Sequence, residues 1–346
     1  MSMINAQETT TPSPKRCHPS FVRRGAFAGL ILAAFLLLVS CKGAEVAAPV
    51  VEKRQVTDDL GRVVMIPVEV TRVVSLAPNL TENIFAVGAG DRLVGVTTFC
   101  NYPEQARSIA KIGDTMNPNI ETIIALKPDV VFVSTASQIE AFMRTLEQNG
   151  IAVFVSNPTS LETLYRGLIQ MGLVLGTYDK AKQLVAELSE RENKVRNTCD
   201  THYREGRDES KMDRTKVFVQ ISKEPLFTIG KGALLNDVVQ AAGGRSITAD
   251  VESSYPKLSK ETALALNPDV IILSESEDNL EPNEVFRNSP AVRNGRVYKI
   301  NADLLSRPGP RLLDVLELMA EDLGCAEKKR REDEETRRRR ERDFAR

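Results

Sequence analysis

Imidazole side chains and recognisable catalytic motifs are scarce in this chain of 346 residues. It has two histidines, His18 and His202, whereas zinc and other transition-metal sites usually draw on imidazole ligands. The sequence has no Gly-x-Ser-x-Gly nucleophile elbow, no Gly-x-Gly-x-x-Gly loop and no Walker loop. We therefore predict no catalytic residue, no metal site and no cofactor, and we do not expect an enzyme.

One thiol, that of Cys41, stands just after an apolar run over residues 25–39, which basic residues precede. The run is shorter than the ~20 residues that span a membrane, and its positive flank favours a secretory signal peptide over residues 1–40. Leu-Val-Ser-Cys at 38–41 resembles the bacterial lipobox, which implies lipidation of Cys41 and a tether over 41–53. The alternative is an uncleaved anchor, and the long polar start leaves the true start codon open.

Cleavage before Cys41 leaves three further cysteines, Cys100, Cys199 and Cys325. An odd number allows at most one disulfide among them. The compartment outside the cytoplasm permits such a bond. Which pair forms, if any, stays open.

Strand-like and helix-like segments alternate over residues 54–160 and again over 213–325. Between them, residues 161–212 show helical spacing with a break near Gly176, followed by a charged linker. This order predicts an α/β fold: two α/β lobes with central parallel sheets, joined by one long backbone helix. Residues 326–346 form a charged tail that we expect to be solvated.

Two local patterns open the first lobe. A hairpin is predicted over residues 54–70, with its turn at Asp-Leu-Gly 59–61. Further on, Asn79 followed three positions later by Glu82 indicates a capping box at the start of a helix.

A segment repeats within the chain, since eight of fourteen positions are identical between residues 121–134 and 261–274. Each copy consists of a helical stretch, a Pro-Asp turn and an apolar strand, and the proline ends the helix because it lacks an N–H. The repeat favours two related lobes, and convergence on a common helix-to-strand connection is the alternative.

Three segments carry a family resemblance, and they lie at residues 72–82, 95–103 and 119–129. They read Arg-Val-Val-Ser-Leu-Ala-Pro-Asn-Leu-Thr-Glu, Gly-Val-Thr-Thr-Phe-Cys-Asn-Tyr-Pro and Asn-Ile-Glu-Thr-Ile-Ile-Ala-Leu-Lys-Pro-Asp. This set resembles the helical-backbone class of periplasmic binding proteins of ABC importers, most closely its vitamin B12-binding members. The class also serves iron–siderophore and haem importers. The resemblance spans roughly residues 54–325 and implies a ligand held between two lobes that move little.

The resemblance also implies that a glutamate on each lobe docks into arginines of the permease, and the matching positions are Glu121 and Glu261. Asn119 and Ser259 lie two residues earlier as N-caps, so each carboxylate falls in the first turn of a helix. There the helix dipole alone stabilises it, by about 0.3–1 kcal/mol. The docking role is favoured by the pairing of one such glutamate in each lobe.

The resemblance further implies ligand contacts at the ends of the first strands of each lobe and near the last helix. The candidate residues are Pro78, Asn79, Phe99, Phe227, Tyr255 and Arg307. Apolar planar faces suit a corrin ring and an Asn or Tyr suits its amide side chains, while core packing is the alternative for each aromatic. The chain departs from the vitamin B12-binding pattern because it contains no tryptophan.

We therefore expect a monomeric binding lipoprotein outside the cytoplasm, anchored to a bacterial membrane in the periplasm, that passes cobalamin or a related corrinoid to an ABC permease. The first alternative is a ferric siderophore or haem, for which Arg307, Arg311 and Lys223 are candidate cations. Alternatives of other classes are an extracytoplasmic hydrolase and a sensor or adhesin. A formal net charge of −1 gives no indication of nucleic-acid binding. Whether the anchor enters the inner or the outer membrane stays open.

Overall fold

The computed structural model describes residues 52–134, 140–205 and 214–325. The predicted signal peptide, Cys41 and the charged tail lie outside these ranges. Within them, no helix is both long and apolar enough to cross a membrane.

The described chain begins with the predicted hairpin. Strand β1 (Lys53–Thr57) pairs antiparallel with β2 (Val63–Pro67). The turn is held by the buried carboxylate of Asp58, which accepts hydrogen bonds from the backbone N–H groups of Leu60 and Arg62. Gly61 adopts a φ of 77°, a left-handed conformation that glycine takes at little cost.

The first sheet is parallel, with strand order β4-β3-β5-β6. Its strands are apolar and largely buried, as expected of a parallel sheet covered on both faces. The strands are β3 (Val73–Ser75), β4 (Leu93–Val96), β5 (Val130–Ser134) and β6 (Ala152–Ser156), with helices α1 (Pro78–Ala86), α2 (Ile120–Ala125) and α3 (Glu140–Gln148).

Two consecutive helices, α4 (Leu161–Val174) and α5 (Tyr178–Glu205), connect the two sheets. They are separated at Gly176, whose φ is 65°, so the predicted break is confirmed. The C-terminal carbonyls of α4 accept hydrogen bonds from Arg54, which precedes the first sheet. At the N-terminus of α4, the backbone N–H of Leu161 donates to the carboxylate of Asp237, a residue that comes after the first strand of the second sheet. With 28 residues, α5 extends about 42 Å at 1.5 Å per residue.

The second sheet has strand order β11-β10-β7-β8, and β9 also pairs with β7. All of its pairings are parallel except that of β8 with β7. The strands are β7 (Thr215–Ser222), β8 (Phe227–Thr228), β9 (Gly244–Ser246), β10 (Val270–Glu275) and β11 (Val297–Asn301), with helices α6 (Leu234–Ala241), α7 (Lys260–Leu266), α8 (Pro290–Arg293), α9 (Ala302–Leu305) and α10 (Leu312–Leu323). The predicted fold class is confirmed.

The internal repeat is a structural repeat as well. Strands β5 and β10 follow α2 and α7, and Lys127 and Asn267 both adopt a left-handed conformation just before the proline. In each copy the aspartate of the Pro-Asp turn binds the backbone where the neighbouring strand begins. Asp129 accepts from the N–H of Arg72 before β3, and Asp269 accepts from the N–H of Lys216 in β7.

One apolar core runs through both sheets and the connecting helices, and a smaller cluster lies on the outer side of each sheet. The residues that the structure describes accordingly pack as one compact unit. The lobe boundaries predicted at 160/161 and 212/213 stay predictions.

A disulfide joins Cys199 in α5 to Cys325 just beyond α10, with a Cα–Cα distance of 4.8 Å. This bond identifies which pair of the three cysteines is joined, a question that the sequence left open. Cys100 is buried as a free thiol.

Candidate ligand-binding site

A cavity of about 400 Å³ lies where the ends of strands from both sheets meet. Ligands of open α/β sheets typically bind at the carboxyl ends of the strands. Here the segments that follow β3 and β4 face the segment that follows β11. The lining residues are Pro78, Asn79, Thr98, Phe99, Asn101, Asp303, Ser306 and Arg307.

Helix α1 begins at the cavity with Pro78 as its first helical residue, after Ala77 as N-cap. Proline suits this position because its fixed φ is helical and its missing N–H would have no intrahelical partner. The predicted capping box of Asn79 and Glu82 is wrong. Asn79 already lies within the helix, and the Glu82 carboxylate is used by arginines far away in the sequence.

Phe99 presents its ring to the cavity from the loop after β4, and the ring is not part of the core because the residue is 59% exposed. The loop is fixed from beneath at Cys100, whose thiol lies 3.1 Å from the hydroxyl oxygens of both Thr81 and Thr97. A second loop lies beside it, since the N–H of Thr98 donates to the carbonyl of Gly113. These contacts hold an exposed aromatic side chain on a rigid base.

The loop after Gly113 is closed by the carboxylate of Asp114, which accepts from the backbone N–H groups of Met116 at 2.7 Å and Asn117 at 2.6 Å. The pKa of Asp114 is lowered, chiefly by the Asn117 N–H and then by that of Met116. The loop exposes the Met116 side chain.

A buried ion-pair network closes the base of the cavity. The carboxylate of Glu82 in α1 accepts from Arg307 Nη1 at 2.9 Å and from Arg311 Nε and Nη2 at 2.8 and 2.5 Å. The Glu82 and Arg307 side chains are 3% and 8% exposed. Charge-assisted bonds of this kind are strong, and each buried charge needs its partner.

Further polar contacts extend this network around Arg307. Its Nη1 also donates to Asn101 Oδ1 at 2.7 Å, and its Nη2 lies 2.7 Å from Asp303 Oδ1. Arg311 stacks over the ring of Tyr102, 4.1 Å from its centroid, a geometry that favours a cation–π contact. The segments after β3, β4 and β11 are thus joined directly.

The structure brings together four of the six predicted ligand residues, because Pro78, Asn79, Phe99 and Arg307 all line this cavity. Phe227 and Tyr255 are not among its lining residues. Phe227 is half-buried in β8, where it forms a bridge to Lys257, and Tyr255 is 52% exposed. The ligand roles of all six stay predictions.

No pattern in the sequence assigned Glu82, Asn101 or Asp303 to the site. The cations considered for an anionic ligand all have carboxylate partners: Arg307 and Arg311 bind Glu82, and Lys223 lies 3.6 Å from Glu281.

Glu121 and Glu261 are exposed in the first turns of α2 and α7. The predicted N-caps are confirmed, since Asn119 accepts from the Thr122 N–H and Ser259 from the Thr262 N–H. The pKa of Glu261 is lowered, chiefly by a hydrogen bond from its own backbone N–H and then by one from Ser259.

Another cavity, of about 450 Å³, lies between the β1–β2 hairpin and the segment at β6. Its lining residues fall within 53–65 and 147–153, so the second sheet contributes none of them. A site that both lobes build is therefore better represented by the cavity at Phe99 and Arg307.

The fold consists of two largely parallel sheets flanked by helices, with a helical connection and a cavity between strand ends. This combination defines a two-lobed solute-binding protein. The chain belongs to the periplasmic binding protein family, whose sequence model matches residues 73–304. Members of this family bind and carry solutes; they are not enzymes and hold no catalytic cofactor. The chain is thus an extracytoplasmic substrate-binding protein of an ABC transporter, a class that works with permease and ATPase components.

Three comparisons place it within the family. It is 30% identical over 313 residues to the ABC transporter substrate-binding lipoprotein YvrC of Bacillus subtilis (strain 168), covering 87% of this chain and 97% of that protein. It is 30% identical over 267 residues to a vitamin B12-binding protein of Vibrio cholerae serotype O1, covering 76% and 92%. The structure of the periplasmic vitamin B12-binding protein BtuF of Vibrio cholerae matches with a TM-score of 0.64 at 29% identity, over 76% of this chain and 100% of that one.

Proposed function

We propose that the chain binds cobalamin or a related corrinoid in the cavity between its lobes and delivers it to an ABC permease. The observation that carries the proposal is the convergence of Pro78, Asn79 and Phe99 with Arg307 on one cavity at the strand ends. The similarity to vitamin B12-binding proteins supports the same ligand class.

The cavity offers the two kinds of contact that a corrinoid needs. The exposed ring of Phe99 provides a flat apolar face at the cavity, and aromatic rings supply large contact areas of this kind. Asn79 and Asn101 contribute side-chain amides for the amide groups at the edge of a corrin. Because Phe99 is exposed at the rim, a ligand larger than about 400 Å³ can rest on its ring while part of the ligand fills the cavity.

A ferric siderophore or haem is the second candidate, because the class of binding proteins that the sequence resembles also serves importers of these ligands. The observation in its favour is the presence of two arginines at the cavity base. Both arginines already bind Glu82, which leaves the corrinoid as the better supported ligand.

Titration with cyanocobalamin, a ferric catecholate siderophore and haemin, followed by calorimetry or tyrosine fluorescence, tests the ligand. We expect micromolar or tighter binding of cyanocobalamin, weakened at least about tenfold by Phe99→Ala. Met65→Ala is the matched control, because Met65 is also exposed but lines the other cavity. Tight binding of the siderophore or haemin alone would exclude the corrinoid.

Glu121 and Glu261 are the proposed docking carboxylates. Each is exposed near the start of a repeated helix, one in each lobe, which suits bidentate contacts with arginines of a permease. Charge reversal of both residues is expected to abolish ligand uptake while binding in solution is retained. Glu162→Arg provides the control, since Glu162 is an exposed glutamate in the first turn of α4. Unchanged uptake in the double variant would contradict the docking role of the two glutamates.

The lipid anchor at Cys41 belongs to the same proposal, as a tether that keeps a monomeric carrier near its permease. YvrC is described as a lipoprotein. Substitution Cys41→Ser is expected to release the protein from the membrane fraction, and fractionation of inner from outer membranes would locate the wild-type protein. Retention of Cys41→Ser in the membrane would support an uncleaved anchor.

A further inference from the structure

The base of the cavity contains equal numbers of positive and negative side chains. Arg307 and Arg311 supply the two cations, and Glu82 and Asp303 supply the two carboxylates. All four belong to one connected network, since Arg307 contacts both carboxylates and Arg311 contacts Glu82. Formal charge therefore cancels within the network.

The network lies close enough to the cavity for its net charge to affect a bound ligand. Arg307 and Asp303 both line the cavity, while Glu82 is almost completely buried behind them. Charges in such surroundings are screened less by water than charges on the open surface. A net charge on this network would therefore act strongly on a ligand in the cavity.

We propose that Glu82 and Asp303 determine the charge selectivity of the cleft, by neutralising Arg307 and Arg311 so that ligands without net charge bind and polyanionic chelates are disfavoured. The inference rests on the proposed function to the extent that the cavity is taken as the ligand site. The rule for the ligand class follows from the pairing of Arg307 and Arg311 with the protein's own carboxylates. A polyanionic ligand would have to displace these carboxylates in order to bind the arginines.

The two carboxylates allow the rule to be tested in graded steps. The Asp303 side chain is 48% exposed. Asp303→Asn removes its carboxylate from Arg307 Nη2 and leaves the Glu82 contacts in place. Glu82→Gln removes the shared carboxylate of both arginines. Each substitution adds one positive charge to the cavity base, and the double variant adds two. Glu147→Gln is the control for net charge, because Glu147 lines the other cavity.

The probes are cyanocobalamin, which has no net charge, and a ferric tris-catecholate complex, which carries three negative charges. The readout is the ratio of their association constants, measured by calorimetry at low and high salt, with the melting temperature recorded for each variant. We expect the ratio to shift at least about tenfold towards the anion in Asp303→Asn, further in the double variant, and not in Glu147→Gln. The shift should shrink at high salt, as expected for an electrostatic effect.

A purely structural role for the network would lower stability without changing the ratio, and that result would overturn the inference. Because Asp303→Asn keeps the buried pairs, it retains the test if Glu82→Gln unfolds. If the wild type binds no cyanocobalamin, the anion's affinity in Asp303→Asn relative to Glu147→Gln becomes the readout. A gain there would keep the charge rule and reject the corrinoid, whereas no gain would reject both.

Discussion

The guanidinium of Arg311 donates two hydrogen bonds to the carboxylate of Glu82, from Nε to Oε2 at 2.8 Å and from Nη2 to Oε1 at 2.5 Å. The two residues lie 229 positions apart in the sequence. Glu82 belongs to the helix after β3, and Arg311 immediately precedes α10. This bidentate pair thus links the first and last parts of the described fold beside the cavity.

Loss of this pair should destabilise the protein well beyond the effect of a surface ion pair. Arg311→Met is expected to lower the free energy of unfolding by about 1.5–3 kcal/mol, because it removes two charge-assisted hydrogen bonds from a buried carboxylate. Arg311→Lys should recover only part of this, since an ammonium cannot form the planar bidentate contact. Urea denaturation measures both.

The control is Arg107→Met, which breaks the pair with Glu104, where the two side chains are 59% and 83% exposed. Its cost should stay below about 1 kcal/mol. Equal losses in Arg311→Met and Arg107→Met would contradict the importance of the Glu82–Arg311 pair.

Local patterns allowed the repeated unit to be predicted. A cap, a short helix, a Pro-Asp turn and an apolar strand follow within some fifteen residues, and each feature depends on near neighbours. The role of Glu82 was not predictable in the same way. Its spacing from Asn79 fits a capping box, and its actual partners, Arg307 and Arg311, become neighbours only once the chain has folded.

The repeat's aspartates should differ in their contribution to stability. Asp129 Oδ2 accepts from the N–H and hydroxyl of Thr71 and from the N–H of Arg72, whereas Asp269 Oδ2 accepts from the N–H of Lys216. Asp129→Ala should therefore cost about 1–2 kcal/mol more than Asp269→Ala. Urea unfolding of both variants measures the difference, and a larger loss in Asp269→Ala would contradict the hydrogen-bond account.

The disulfide between Cys199 and Cys325 closes a long loop, with a sequence separation of 126. Replacement of both cysteines by serine should lower the free energy of unfolding by about 3–5 kcal/mol, because the unfolded chain regains the entropy of an open loop. Chemical denaturation with and without a reductant measures the effect. Cys100→Ser keeps the disulfide, so its unfolding should still depend on the reductant; independence from the reductant in the wild type would argue against the bond.

The loop that exposes Met116 should loosen in acid. Because hydrogen bonds from Asn117 and Met116 lower the pKa of Asp114 in the folded state, the stabilisation is fully present above the unfolded value of about 3.9 and is lost as the pH falls through the lowered pKa. Amide exchange of Met116 and Asn117 should rise in that acid range. Asp114→Ala, which removes the acceptor, should show fast exchange even at neutral pH, and protection that persists in this variant would refute the role of the Asp114 side chain.

The site was predicted only in part. Pro78, Asn79 and Phe99 follow strand ends, and strand ends are recognisable from apolar runs. Asn101 and Asp303 had no comparable signal, because polar residues in loops are common and their proximity arises from packing between the sheets. Phe227 lies in β8, a short antiparallel strand that the sequence did not indicate, and Tyr255 follows β9. The absence of both residues from the cavity lining was therefore not foreseen.

A crystal structure of the protein with saturating cyanocobalamin tests whether the cavity at Phe99 and Arg307 is the ligand site. We expect the corrin between the lobes, with one face against Phe99 and its amide groups within hydrogen-bonding distance of Asn79 or Asn101. A corrin bound elsewhere, or an empty cavity at a concentration that saturates a micromolar site, would contradict it.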